Sequence, residues 1–331
     1  MNRFNIWTEF KNTIKNYNLI NNEDRILIGI SGGPDSVCLT YLLDKLKKKL
    51  FSDIVLFLCY VDHGIRTKYE IEKEVNLVKK IGVQLDIPAY IEKININKHT
   101  TNLEATLRKL RYAVFLKLSK KLKCNKIALG HTLNDQAETV LFNLLRSTNH
   151  EGITGIPITR PILKNIFIIR PLLKISRKEI EKELNHNKIS FCMDKTNISF
   201  SYTRNYIRHK IIPLMEKINK NIYLHLSNLA EYSQLKEDYF NQLAEQKIKN
   251  VMKKNKNKLI FDLKKILKYN KYLKYKIFRK CLEENFKLNL YSDIIEKIFY
   301  MCNSNINNFI FNNIKIVKDK KNNNICIYKI N

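Results

Sequence analysis

No Cys-x-x-Cys pair occurs in the 331 residues, and the seven cysteines, Cys38, Cys59, Cys124, Cys192, Cys281, Cys302 and Cys326, are scattered and odd in number. That spacing argues against a zinc or iron–sulfur site and against a disulfide framework, and it fits a reducing compartment. Long apolar runs are missing as well. None approaches the roughly 18 residues of a membrane span, and residues 1–22 carry an amphipathic pattern through Trp7, Phe10, Ile14 and Tyr17 instead of a signal peptide's apolar block. The expectation is a soluble, cytoplasmic protein with no membrane partner, an organelle stroma being the other compartment that fits. Acids are scarce: 31 Asp and Glu face 60 Lys and Arg, a net charge of +29. Such a surplus favours a polyanionic partner, because each phosphate neutralised releases counterions. Codon composition is the competing account, since the chain is crowded with Lys, Asn and Ile. The Gly-Lys-Ser/Thr of a Walker loop is absent, and no clear internal repeat is visible.

What the chain does have is Ile26-Leu-Ile-Gly-Ile30 running directly into Ser31-Gly32-Gly33-Pro34-Asp35-Ser36, with helix-patterned residues from Val37 to Leu46. A buried strand, a tight turn and a helix N-terminus in that order form a phosphate cradle. Glycines admit close backbone approach, first-turn N–H groups point at the anion, and Ser31 and Ser36 can add hydroxyls. Pro34 fixes one φ angle, and Asp35 sets a carboxylate beside the phosphate, as suits a Mg²⁺ site.

Further apolar runs at Ile54–Val61, Gln84–Ile91 and Lys126–Gly130 alternate with helical spacing at 67–81 (Ile71, Val75, Val78, Ile81) and 102–122 (Leu103, Leu107, Leu110, Val114, Leu118). Strands apolar throughout, separated by helices, predict an α/β fold with a parallel sheet covered on both faces, and ligands collect at the C-terminal ends of such strands. Three polar segments fall there: Ser31–Ser36, Asp62-His63-Gly64-Ile65-Arg66, and His131–Glu138. The spacing of four and three puts His131, Asp135 and Glu138 on one helix face. Helix capping by Thr132 or Asn134 explains one acid of that set. Asp62-His63 also reads as a plain glycine turn, and Arg108 and Arg111 as solvated helix residues.

From Gly152 to Leu173 glycines and prolines break helices around a short strand at Ile166–Ile169. Ser176 opens a helix with Glu179 three residues on. Asp194-Lys195-Thr196-Asn197 follows. Next comes Tyr202–Lys210, where Arg204 and Arg208 lie four apart among aromatics, either a grip on phosphate or bases or a solvated basic face. Beyond Pro213 long Lys-rich helices, 214–253 and 262–303, lead to a hairpin from Phe309–Val317 and Asn324–Ile330. Two domains result: 1–215, catalytic, and 216–331, smaller, mostly helical, without an acid/His constellation and so suited to binding or positioning a polyanion.

SGGPDS at Ser31, VDHGIR at Val61, NLEATLRKLRY at Asn102, LGHTLNDQAETVLFNLLR at Leu129, RPLL at Arg170, SRKEI at Ser176 and RNYIRHKIIP at Arg204 together resemble the bacterial tRNA(Ile)-lysidine synthases, N-type ATP pyrophosphatases with an adenine nucleotide alpha hydrolase-like fold. The loop alone is shared with several amidating and thiolating enzymes; the later segments are more specific. The resemblance implies that ATP, with Mg²⁺, adenylates the wobble cytidine of a CAU-anticodon tRNA(Ile), and that the amine of L-lysine then displaces AMP. By motif, Ser31, Gly32, Gly33, Pro34, Asp35 and Ser36 hold ATP and pyrophosphate, with Asp35 near metal. His131, Asp135 and Glu138 serve the lysine and adenylate side. Arg111, Arg204 and Arg208 contact phosphate and tRNA, and Asp62, His63, Arg66 and Arg108 join the substrate set. Ser147-Thr148-Asn149-His150 departs from the glycine-containing loop usual there. A tRNA thiolase of the same superfamily would want a cysteine pair, and a catalytically silent RNA-binding relative would not need Asp35, Asp135 and Glu138 together. The oligomeric state is left open, a homodimer included.

Overall fold

The computed structural model describes residues 5–94, 103–146, 153–193, 203–255, 258–286, 292–304, 306–311 and 313–330. The expected loop at Ser147–His150, the segment Asp194–Asn197 and residues Asn102, Gly152 and Tyr202 lie outside them. Two compact units divide the chain, Met1–Ser233 and Gln234–Asn331.

In the first unit α1 (Ile6–Asn16) precedes β1 (Arg25–Gly29), α2 (Pro34–Lys49), β2 (Val55–Asp62), α3 (Lys68–Leu85), β3 (Ala89–Lys93), α4 (Leu103–Lys121), β4 (Lys126–Leu129) and α5 (Leu133–Arg146). β5 (Thr159–Leu163), β6 (Ile166–Ile169), α6 (Arg177–His186), α7 (Thr203–Tyr206), a π-helical turn (Ile207–Ile211), α8 (Ile212–Ile218) and α9 (Ile222–Val251) follow. Among the described residues the sheet has the order β3-β2-β1-β4-β6-β5, parallel except for the β5–β6 pair. Ile28 lies between Leu58 and Ala128 in register, all three fully buried, so β1 is apolar on both faces because both faces are covered. One core, with Phe10, Leu39, Leu43, Val78 and Ile180, packs on one side of the sheet; another, with Tyr112, Phe115, Leu118 and Ile168, on the other. The strand order reverses between β1 and β4, which opens a crevice above their C-terminal ends.

Several boundaries differ from those the sequence pattern predicts. α3 continues through Gln84 and Leu85, expected in a strand, and stops where Asp86 turns left-handed at φ 55°. Thr67 starts it with a complete capping box, its side chain accepting from the N–H of Glu70 while that glutamate bonds back to the N–H of Thr67. α4 buries the line Tyr112, Phe115, Leu118, while Leu103, the head of the expected stripe, is exposed. His131 precedes α5 instead of lying on it, because Thr132 is the residue that caps the helix.

The units part at 233/234, within α9, and not at 215/216. α8 and the start of α9 belong with the first unit because Ile212, Leu226 and Ala230 share a buried cluster with Ala137, Val140 and Leu141 of α5. The second unit is the rest of α9 with β7 (Met252–Asn255), β8 (Lys258–Asp262), α10 (Leu263–Ile266), α11 (Lys271–Phe286), α12 (Ser292–Asn303), β9 (Asn308–Phe311), β10 (Ile314–Asp319) and β11 (Asn324–Lys329). The expected hairpin is β10–β11. It is part of an antiparallel sheet ordered β7-β8-β11-β10-β9, in which β8 pairs with β11 through Ile260 opposite Cys326.

Candidate active site

The loop after β1 and the N-terminus of α2 line a cavity of about 640 Å³, together with the ends of β2 and β4. Gly32 sits at φ +80°, which an L side chain resists, and lets the chain turn back on itself. Gly130, at the end of β4, has no room for a side chain either: a Cβ there would stand 3.1 Å from the backbone of Asp35 and Ser36. β4 therefore braces the loop from behind. Gly33 caps α2 without a side-chain hydrogen bond, and Pro34 has no N–H to satisfy, so no side chain competes for the first-turn donors. Both serines are engaged within the loop, Ser31 Oγ lying 3.2 Å from Ser36 Oγ and accepting from the Gly33 N–H at 3.4 Å. Ser36 is committed within the loop, its hydroxyl donating to the Gly33 carbonyl at 3.0 Å and accepting from the Ser31 N–H at 3.1 Å. Ser36 thus shapes the cradle and is not a spare donor.

Asp35 lies at the head of α2 with Oδ2 accepting from Nε of Arg177 at 3.0 Å, while Oδ1 is buried without a hydrogen-bond partner. Burial pushes this carboxyl up to about 6, against the pull of Arg177. A single carboxylate oxygen left open beside a phosphate cradle suits Mg²⁺, which takes one or two carboxylates and completes its shell with phosphate and water.

Arg177 is a residue that the sequence pattern does not single out. Its guanidinium spans three acids: Asp35, Asp135 Oδ1 at 3.1 Å, and Glu138 at 3.9 Å. Its base is anchored by the Ser176–Glu179 capping box and by its N–H, which donates to Asn134 Oδ1 at 3.0 Å. Arg208 grips Glu138 with two bonds, 2.6 and 2.8 Å, and reaches Asp135 at 3.7 Å. Arg204 adds an ion pair to Glu138 at 3.4 Å and a bond to the Thr139 hydroxyl at 3.0 Å. Three carboxylates thus meet three guanidiniums. Burial acts upward on Asp135, yet Arg177 and the two bonds donated by Thr132 hold it below the ordinary carboxylate range. The same three acids lift Arg177 above its own usual value against the effect of burial.

The expected stripe therefore splits into different jobs. Asp135 gives Oδ2 to the Thr132 cap and Oδ1 to arginine, so capping and charge binding coexist in one residue. Glu138, 1% exposed, is absent from the cavity wall and stands behind Arg208 as its anchor. Arg204 is likewise behind the wall. Arg208 reaches the wall from a π-helical turn whose Ile212 N–H donates to the Ile207 carbonyl. Pro213 explains that wide turn, since a proline has no N–H to close an α-helical bond and its ring crowds the carbonyl four residues back.

On the other side, Asp62, His63, Arg66, Arg111 and His131 line the cavity. Asp62 Oδ1 accepts from the Gly64 N–H at 2.8 Å, so the plain-turn reading of this segment holds for Asp62. Arg66 pairs with Glu74, whose other oxygen accepts from the Tyr60 hydroxyl at 2.7 Å; Glu74 is 5% exposed and has no marker in the sequence. Burial, with Arg111 and Arg66, brings His63 down to about 4. Arg108 does not reach the cavity and stacks on the Tyr112 ring, 5.8 Å from its centroid. Arg170, whose part in the site the sequence pattern also leaves unmarked, is almost fully buried beside His131. Among the described residues no group of three or more His, Cys, Asp or Glu is placed to hold a metal ion, and no helix is long and apolar enough to cross a membrane.

A family model described as a PP-loop domain matches residues 3–215. The tRNA(Ile)-lysidine synthase of Clostridioides difficile (strain 630) is 38% identical over 251 residues, 74% of this chain and 53% of that protein. The protein of the same name from Thermosipho africanus (strain TCF52B) is 43% identical over 215 residues, 64% of this chain and 48% of that one. The chain spans about half the length of these curated relatives. Among solved structures, the U34-tRNA thiolase NcsA from Methanococcus maripaludis superposes with a TM-score of 0.58 at 21% identity, over 69% of this chain and 78% of that one, a likeness of fold. With its cradle at the β1–α2 turn and its family match running from the first helix through Arg208, the chain belongs to the PP-loop domain family.

Proposed function

We propose that this chain ligates L-lysine to C2 of the wobble cytidine in a CAU-anticodon tRNA(Ile), using ATP and Mg²⁺. The observation that carries the reading is one cavity with a phosphate cradle on one wall and an acid–arginine cluster on another, in a chain whose relatives are named lysidine synthases. In the first half-reaction the cytidine O2 attacks the α-phosphorus of ATP, the bond to the bridging oxygen of the β-phosphate breaks, and pyrophosphate leaves. The α2 N-terminus and the loop N–H groups face the charge that develops on it. Asp35 is the residue that would hold Mg²⁺, which would supply neutralisation of phosphate charge here. In the second half-reaction the lysine amine attacks C2, the C2–O bond breaks and AMP departs with that oxygen. The ammonium must lose a proton before it attacks. Asp135, kept ionised by Arg177 and Arg208, is a carboxylate at the wall that draws the ammonium in, and Glu138 holds the arginines.

The domain roles belong to the same proposal: the unit through Ser233, which contains the family match, carries the chemistry, and the unit from Gln234, rich in exposed lysine, holds the tRNA body. The test is incorporation of radiolabelled lysine into a CAU-anticodon tRNA(Ile) transcript with ATP and Mg²⁺. Label in the tRNA with matching AMP and pyrophosphate release is the expected result. Label from a sulfur donor and none from lysine would establish a thiolase instead.

A further inference from the structure

We propose that Arg170 is a positioning residue that fixes His131 as a neutral imidazole with its proton on Nε2, so that His131 meets a ligand in the cavity as a hydrogen-bond donor and not as a base. The inference concerns the chain's own groups and holds for whatever substrate the cavity takes.

Arg170 directly follows β6 and is 1% exposed. Its backbone N–H donates to the Ile158 carbonyl at 3.0 Å, and one terminal nitrogen donates to the Pro157 carbonyl, so the side chain has little freedom. Its Nε–H points at Nδ1 of His131 across 3.3 Å. A guanidinium stays protonated in proteins and has no lone pair to offer. In an Nε–H···Nδ1 contact the imidazole nitrogen must therefore be the acceptor. A neutral imidazole carries one N–H, which leaves it on Nε2.

The obvious competitor is an Asp135–His131 dyad, which would make His131 a base. The partners of Asp135 argue against it. Oδ2 accepts both the N–H and the hydroxyl of Thr132, at 2.8 and 2.9 Å, and Oδ1 faces Arg177 and Arg208. The charged groups around His131 are Asp135 from α5, Arg111 from α4, Arg204 from α7 and Arg170 itself. Asp135 favours the imidazolium. Burial and the three arginines disfavour it and prevail, holding the ring neutral far below its ordinary titration range. Protonating Nδ1 would also set one N–H against another at 3.3 Å. Among the described residues no carboxylate is ion-paired with Arg170, and the Tyr112 hydroxyl feels its charge. Burial acts upward on that hydroxyl but is outweighed by Arg170, Arg108 and Arg111. Arg170 thus spends its buried donors on orienting neighbours. An oxygen-bearing ligand, phosphate or carbonyl, is what an Nε2–H on the cavity wall accommodates.

The experiment is a long-range proton–nitrogen correlation spectrum of the full chain with ¹⁵N-labelled histidine and arginine, His131 being assigned by the signals that vanish in His131→Asn. The expected pattern is a protonated Nε2 and an unprotonated Nδ1, unchanged from pH 8 to about pH 5, well below where a free imidazole titrates. A scalar coupling across the hydrogen bond between Arg170 Nε and His131 Nδ1 is expected in the unsubstituted protein. In Arg170→Met the coupling disappears, and His131 becomes a mixture of tautomers titrating nearer its ordinary value. A proton on Nδ1, an imidazolium at pH 7, or an unaltered tautomer in Arg170→Met would each overturn the proposal. If Arg170→Met does not fold, the tautomer and coupling of the unsubstituted protein decide alone.

Discussion

Charge is buried in both units, for different ends. In the first, three acids and three arginines interlock beside an open cavity, and one oxygen of Asp35 is left without a partner. In the second, Lys276 and Glu237, 4% and 7% exposed, pair with each other under the Tyr272 ring. The Tyr272 hydroxyl donates to the second oxygen of Glu237, and Phe240 packs edge-on against the same ring at 4.7 Å. There both carboxylate oxygens accept bonds from within the protein. Buried charge alone therefore does not mark a site; buried charge that shares a wall with space and leaves an acceptor open does.

Breaking the second unit's pair should cost most in stability and least in chemistry. Lys276→Met strands Glu237 in the interior, and removal of one partner of a buried pair costs about 3–5 kcal/mol. Chemical denaturation should register that loss, with much of it recovered when Glu237→Leu is added. Single-turnover lysine transfer should change little. If it collapses along with stability, the contrast between the units fails.

The cavity itself should be legible in a pH titration of stability. His63 is brought from 6.5 to about 4 in the fold, so between those values the unfolded chain binds more protons than the native one. Stability attributable to His63 is complete above about pH 6.5 and disappears as pH falls toward 4, by about 3 kcal/mol at most. His63→Gln should flatten that part of the profile; an identical profile would show that His63 is not the group responsible.

Glu138→Gln sharpens the comparison from the other side. Its volume is kept and one charge is removed, so Arg208 keeps a weaker anchor and the cavity wall shifts. Because misplacement of binding groups by about 1 Å can cost about 100-fold in rate, single-turnover transfer should drop by about that factor even under conditions where the variant, weakened by the lost buried charge, is still fully folded. Normal transfer would make the cluster structural, like the pair in the second unit. The smallest effect is expected from Lys253, Lys254, Lys264 and Lys268, all exposed, changed together to Gln. Each RNA phosphate that is no longer neutralised lowers the salt slope of binding by about 0.7–0.9, and filter binding across salt concentrations measures it. An unchanged slope would remove these lysines from the RNA-binding surface.

How much of this the sequence carries depends on how local the cause is. The strand–loop–helix at 26–46 is legible because neighbouring residues create it, and the capping boxes at Thr67 and Ser176 are local for the same reason. Ser176–Glu179 reads as a cap, which it is, but the arginine between them acts on Asp35, 142 residues away, and nothing near it announces that. In sequence Glu74 looks like one more polar residue on α3, since only the folded sheet brings Tyr60 over it. β7 and β8 are hidden at the edges of helical patterns because Met252–Asn255 is mostly polar, and β8 is completed by β11, more than sixty residues further on.

The widened turn at Ile207–Ile211 has a consequence for comparing this chain with others. A π-turn is an α-helix that has absorbed one residue, so a relative lacking a residue there has a shorter path between the same two helical segments. A one-residue gap placed anywhere in 207–211 is then structurally equivalent, and aligning Arg208 by helical position counted from Arg204 would point it about 100° away from Glu138. Deleting one residue of this stretch other than Arg208 is accordingly a rotation experiment on Arg208, performed without changing Glu138 or Asp135.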